Sequence, residues 1–140
     1  MDGSGVPRIG GSVVINRRFR TYWGPVIVFA VFIFALSSVP RPPILGDWEI
    51  NDKFRHALLF GAFAATLWRA LSQTRFSGTA LLAPLTVLFT SLYGATDEFH
   101  QLFVPGRSSD WRDWAADTAG AVLICAALAW ARIRGQTTAS

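Results

Sequence analysis

Four apolar runs, separated by short polar stretches, divide the 140-residue chain. The first, Pro25 to Leu36, is unbroken and follows Arg17, Arg18 and Arg20 and then Tyr22 and Trp23. A basic flank, an aromatic belt and an apolar run are the marks of a membrane span. Pro25 is expected in the first turn, where its missing N–H costs nothing. Pro40, Arg41, Pro42 and Pro43 end this span, and a loop with Asp47, Trp48 and Glu49 comes next. The second run opens with Asp52, Lys53, Arg55 and His56 and is apolar from Ala57 to Trp68. It predicts a helix capped by Asn51 or Asp52 and ending near Leu71. The third begins near Thr79, has Pro84 as a candidate kink, and is apolar from Leu81 to Tyr93 before turning polar on one side. Pro105-Gly106 marks a turn, and Ser109 or Asp110 can cap a fourth helix, expected from Trp111 to about Ala131.

These elements predict an all-α, four-helix transmembrane bundle with short loops, because four spans of about 20 residues consume nearly the whole chain. Residues 1–21 are expected to be a flexible basic tail, 22–132 the membrane domain and 133–140 a C-terminal tail. The rival reading of the first span is a cleavable signal, with Ala35 and Ser37 as the small residues near the cut. No internal repeat is visible.

Composition strengthens the membrane reading: 51% of residues are hydrophobic and 16% charged, and the mean hydropathy is +0.34. A net charge of +4 does not point to nucleic acid, because the arginines flank apolar runs. Cys125 stands alone in an apolar run, which excludes an internal disulfide and an all-cysteine metal site. Trp23, Trp48, Trp111, Trp114 and Trp130 lie near the predicted boundaries and read as interface anchors. In a four-span topology, eight arginines fall on the side of the termini and five basic residues on the other. The acids Asp47, Glu49, Asp52, Asp97, Glu98, Asp110, Asp113 and Asp117 all fall on that second side. Both termini are therefore expected in the cytoplasm and the acids at the external face.

Spacing gathers those acids. Gly94, Asp97, Glu98 and Gln101 stand at i, i+3, i+4 and i+7, so they share one helix face. Asp113 and Asp117 are one turn apart with Gly120 continuing their face, and Asp52 and His56 are also one turn apart. An ionised Asp at a helix centre costs about 2.5 to 3.5 kcal/mol on insertion scales, so these faces must avoid lipid. Lys53, Arg55, His56, Arg107 and Arg112 are the available counter-charges, and Gly94 and Gly120 permit close helix approach. Taken singly, Asp52, Asp110 and Asp113 also read as ordinary helix-start acids favoured by the dipole. Asp97 and Glu98 sit at a helix C-terminus, where the dipole opposes them, so they need another source of stabilisation.

The order Leu36-Ser37-Ser38, then Asp52-Lys53-x-x-His56, then Asp97-Glu98-x-x-Gln101-x-Phe103-Val104-Pro105-Gly106-Arg107-Ser108, then Asp113-x-x-x-Asp117-Thr118-x-Gly120 resembles the VanZ-like membrane proteins. The resemblance covers about Trp23 to Leu123 and implies that the first span is retained, against the signal reading. It also implies a bacterial cytoplasmic-membrane protein acting at the cell envelope and lowering sensitivity to teicoplanin-type antibiotics. By that resemblance Asp52, Lys53, His56, Asp97, Glu98, Gln101, Arg107, Asp113 and Asp117 occupy the motif positions. Phe60 stands where many relatives have Tyr and Asp117 where many have Asn, so a role needing that phenol or amide is in doubt.

Three classes of function are consistent with these residues. The first is an envelope protein whose polar cluster binds membrane lipid, cell-wall precursor or glycopeptide, with acids for cationic groups and Arg107 or Arg112 for anions. The second is an intramembrane enzyme on a lipid-linked substrate, with His56, Asp97 and Glu98 as catalytic candidates and Arg107 stabilising an anion. The third is a structural or ion-relay module. No cofactor is expected and no metal site is assigned. A metal variant of the enzyme would use His56 with Asp97, Glu98, Asp113 or Asp117, an oxygen-rich set suited to Mg or Mn. Glu98 and His100 do not form a zinc-protease helix motif, because two residues apart they do not share a face. Ser108 reads as a turn or cap residue.

Overall fold

The computed structural model describes residues 11–40 and 49–138, with side chains from 17–40 and 52–138. Among them are four α-helices and no strand: α1 (Gly11–Ser37), α2 (Glu49–Leu71), α3 (Leu82–Gln101) and α4 (Trp111–Thr137). The predicted loop residues Arg41, Pro42, Pro43, Asp47 and Trp48 lie outside the described residues.

Three boundaries differ from the sequence reading. Helix α2 begins at Glu49, so Glu49 is not in the loop and Asn51 and Asp52, expected as caps, lie inside its first turn, where acids still suit the helix dipole. Helix α1 starts at Gly11, about ten residues before the expected span, so the stretch expected to be a tail is helical from there onward. Pro25 consequently lies inside α1 and not in its first turn, where its ring removes one helical hydrogen bond. Helix α4 runs on to Thr137 because nothing after Ala131 breaks it: Arg132, Ile133, Arg134 and Gln136 are good or neutral helix formers.

By length and composition, two helices are apolar enough to cross a membrane: the Arg17–Ser37 part of α1, and α4. The shortfall of α2 and α3 has a visible cause. Their polar turns, Asp52 to His56 and Asp97 to Gln101, are part of the helices themselves, which shortens the apolar length of each.

Packing follows the apolar and small-residue stripes. Helices α2 and α3 are neighbours at the centre, and both α1 and α4 pack against the two of them. The core is built from Val26 and Ile33 of α1, Phe60, Phe63, Leu67, Ala70 and Leu71 of α2, and Leu82 of α3. Another face of α1 points outward: Val28, Val31, Phe32 and Phe34 are at least half exposed, as expected of a surface that meets lipid.

The tightest contact is between α2 and α4. A Cβ on Gly120 would lie 2.0 Å from the Ala57 carbonyl oxygen, and one on Gly61 would lie 3.3 Å from the Gly120 carbonyl oxygen. Only residues without a side chain let two backbones approach this closely. Gly106 has a φ of 74°, the left-handed value that makes glycine the natural residue in the turn leading to α4.

Candidate functional site

The α2–α4 glycine contact brings the first turns of those helices against the last turns of α3. Asp52, Asp97, Glu98, Gln101, Asp113 and Asp117 are all buried there. The face predicted from spacing on α3 is the face the structure buries, with Gly94, Asp97, Glu98 and Gln101 all on it. The stripe on α4 continues as Asp113, Asp117, Gly120, Ala121 and Cys125. Asp52 and Asp113 are therefore part of an interior cluster and not merely helix-start acids at the headgroup layer.

Lys53 and His56, both from α2, enter the cluster. Lys53 Nζ lies 2.7 Å from Asp110 Oδ2 and 2.5 Å from Asp113 Oδ1. His56 Nδ1 is 2.9 Å from Asp117 Oδ1, and its Nε2 is 3.9 Å from Asp113 Oδ2. The imidazole thus stands between two carboxylates of α4, with the Phe60 ring parallel to it one turn along α2. Gly94 leaves room for this arrangement, since a Cβ there would sit 2.9 Å from Asp117 Oδ2.

Asp97 faces α1. Ser37 Oγ donates to its Oδ2 at 2.8 Å and Gln101 Nε2 donates to the same oxygen at 2.9 Å. Beside it, Ser38 Oγ and His100 Nε2 are 3.0 Å apart, and the His100 ring stacks on Phe34. Glu98 instead reaches the start of α4, where its Oε2 accepts the backbone N–H of Asp110 at 2.8 Å. Asp110 is the N-cap, and its Oδ1 accepts from the Arg112 N–H. Glu98 therefore does from another helix what the glutamate of a capping box does locally. The Lys53 ammonium bonded to Asp110 holds that carboxyl below its ordinary value of 3.8.

Arg107 also reaches the end of α1. Its Nη2 donates to Leu36 O at 2.9 Å and its Nε to Val39 O at 3.2 Å, which ties the α3–α4 loop to the end of α1. Arg55 and Arg112 are exposed. Four residues that sequence reasoning leaves off the site belong to its surroundings: Ser37, Ser38, His100 and Asp110. Ser37 and Ser38 are visible in the sequence only as a motif element. His100 does not share the helix face of Glu98, and its own face meets α1.

Asp97, Glu98, Asp113 and Asp117 are all buried, with Lys53 and His56 beside Asp113 and Asp117. Three of these acids each keep one buried oxygen without a hydrogen-bond partner among the described residues: Asp97 Oδ1, Glu98 Oε1 and Asp117 Oδ2. Buried acceptors are almost always satisfied, so each calls for a proton, a donor or a cation. Among the described residues two sets of groups lie close enough to share an ion, Asp52 with His56 and Asp113, and His56 with Glu98 and Asp117.

No curated protein and no solved structure matches the chain. A family model does: the VanZ/LLP1 model matches residues 12–132, a stretch that holds α2, α3 and the whole acid cluster as well as most of α1 and α4. The chain belongs to the VanZ/LLP1 family.

Proposed function

We propose that the protein is a four-span protein of the bacterial cytoplasmic membrane, and that its acid cluster is a chamber at the external face. The chamber binds the polar head of an envelope lipid, cell-wall precursor or glycopeptide, and through it lowers sensitivity to teicoplanin-type antibiotics. The observation that carries this reading is the set of three buried carboxylates, each with an unpartnered oxygen. Such acceptors are costly in the apo fold and are repaid by a ligand that supplies donors.

Orientation has separate support. The basic residues Arg17, Arg18, Arg20, Arg69, Arg75, Arg132 and Arg134 lie in the halves of α1, α2 and α4 remote from the acids or in the α2–α3 loop, which favours a cytoplasmic location for that side and for both termini. On this topology α2 and α3 are held in the membrane by the bundle, with their polar turns turned inward.

A second reading, an intramembrane enzyme acting on a lipid-linked substrate, is favoured by one contact. A histidine whose Nδ1 meets a fully buried carboxylate is oriented for proton transfer at its other nitrogen.

The test is teicoplanin susceptibility of a sensitive host expressing wild type, Glu98→Gln or His56→Ala at matched membrane levels. Graded loss of protection supports binding, since glutamine retains an acceptor. Complete loss in both variants supports catalysis. A well-inserted wild type that gives no protection overturns the antibiotic reading.

A further inference from the structure

We propose that His56, Glu98 and Asp117 form a binding site for one divalent cation of the manganese type. The inference rests on reading the cluster as a ligand chamber, but it concerns the chamber's own inorganic occupant.

Three observations converge on it. One ligand atom from each of the three residues lies within 4.8 Å of the others. Points with no mutual separation above 4.8 Å fit within a circle of radius about 2.8 Å, so a side-chain adjustment of well under 1 Å brings all three to the 2.1 to 2.6 Å typical of such ions. Glu98 and Asp117 each bring an unpartnered oxygen, on residues that are 5% and 0% exposed. Glu98 is held in place by the Asp110 N–H, and Asp117 is packed against Gly94 of α3.

Charge selects this set over its neighbour. Asp113, in the alternative set with Asp52 and His56, already carries the Lys53 ammonium, which repels a second cation. Among the described residues, Glu98 and Asp117 have no ion pair other than that of Asp117 with His56. A divalent ion here would offset two buried negative charges that the polypeptide otherwise leaves under-compensated. The donor chemistry selects the ion. Two carboxylates and one imidazole suit manganese better than magnesium, which prefers all-oxygen shells, and there is no thiolate to favour a closed zinc site. The imidazole would turn from its hydrogen bond with Asp117 to coordinate, the carboxylate then binding the same ion.

The experiment is a titration of the purified full chain in detergent micelles with Mn2+ alone, at pH 7, with no lipid or drug present. Binding is read as loss of the free-ion signal in electron paramagnetic resonance. The expected result is one ion per chain, with nitrogen modulation in the echo envelope from one imidazole. Glu98→Gln and Asp117→Asn should each weaken binding at least tenfold, whereas Asp113→Asn should change it less than threefold. Far-ultraviolet circular dichroism and gel filtration establish that each variant is folded. For a variant that is not, the nitrogen modulation of the wild type, and its loss in His56→Gln, decide the assignment.

No binding by the folded wild type, or binding without nitrogen modulation, overturns the site. So does binding that Asp113→Asn abolishes and Asp117→Asn leaves intact. Because no envelope ligand takes part, cation binding can succeed where the antibiotic assay fails, and the reverse.

Discussion

Replacing Gly120 with alanine is expected to separate α2 from α4 and to dismantle the acid cluster in the same step. The new Cβ would stand 2.0 Å from Ala57 O, 2.7 Å from its carbonyl carbon and 2.9 Å from its Cα. All three are backbone atoms, so no side chain can swing away. Restoring an ordinary contact of 3.4 Å requires the helices to part by about 1.4 Å at this point. His56 precedes Ala57 directly and Asp117 lies one turn before Gly120, so the same movement carries their 2.9 Å hydrogen bond beyond the ~3.2 Å limit of a good one. Overpacking costs about 1–3 kcal/mol and loss of a bond to a charged group about 1.5–3 kcal/mol. Higher helix propensity returns about 1 kcal/mol, so the net loss is about 1.5–5 kcal/mol. Thermal unfolding in detergent, followed by circular dichroism, measures this. Gly135→Ala on the same helix is the control, since nothing lies within 4 Å of its Cβ position; it should unfold at or slightly above the wild-type temperature. A Gly120→Ala protein that unfolds with the control and still protects its host would refute the close-contact argument.

Two further outcomes concern the loop joining α3 to α4. Arg107→Lys is expected to cost about 1–2 kcal/mol, because one ammonium cannot reproduce guanidinium bonds from two nitrogens to the Leu36 and Val39 carbonyls; the same unfolding assay measures it. Asp110→Asn keeps a good N-cap but removes the charge that faces Lys53. The folded Asp110 pKa is depressed, so its contribution is present above the ordinary value of 3.8 and is lost as pH falls through the lower folded value. Wild type should therefore lose stability relative to Asp110→Asn only in that acid range, and parallel pH curves for the two proteins would contradict the ion pair.

Much of the site is legible in the sequence because it is periodic. Gly94, Asp97, Glu98 and Gln101 share a face by spacing alone, and the cost of putting carboxylates in lipid decides that the face points inward. Asp110 as the cap of α4 is likewise readable from local sequence. Pairings between distant helices are beyond the reach of local pattern. Arg107 meets carbonyls 68 and 71 residues away, and nothing in the local sequence around an arginine names a helix end that distant. The extent of α1 escapes the sequence for another reason. Gly11 to Asn16 has only the short β-branched run Val13-Val14-Ile15, too brief to mark a helix, and a helix can continue through such residues once its neighbouring turns are formed.

The order in which partners are synthesised gives α1 a particular burden. Its cross-links, Ser37 to Asp97, Ser38 to His100, Tyr93 to the Ala30 carbonyl and Arg107 to Leu36, all reach across at least 60 residues. In the proposed topology, α1 would enter the bilayer well before any of these partners leaves the ribosome, and must remain there on its own oily surface. It is one of the two helices apolar enough to do so, and α4, made last, is the other. The polar-ended α2 and α3 would then be received between a span already in place and one that closes behind them, with biogenesis incomplete until α4 brings Asp113 and Asp117 to Lys53 and His56.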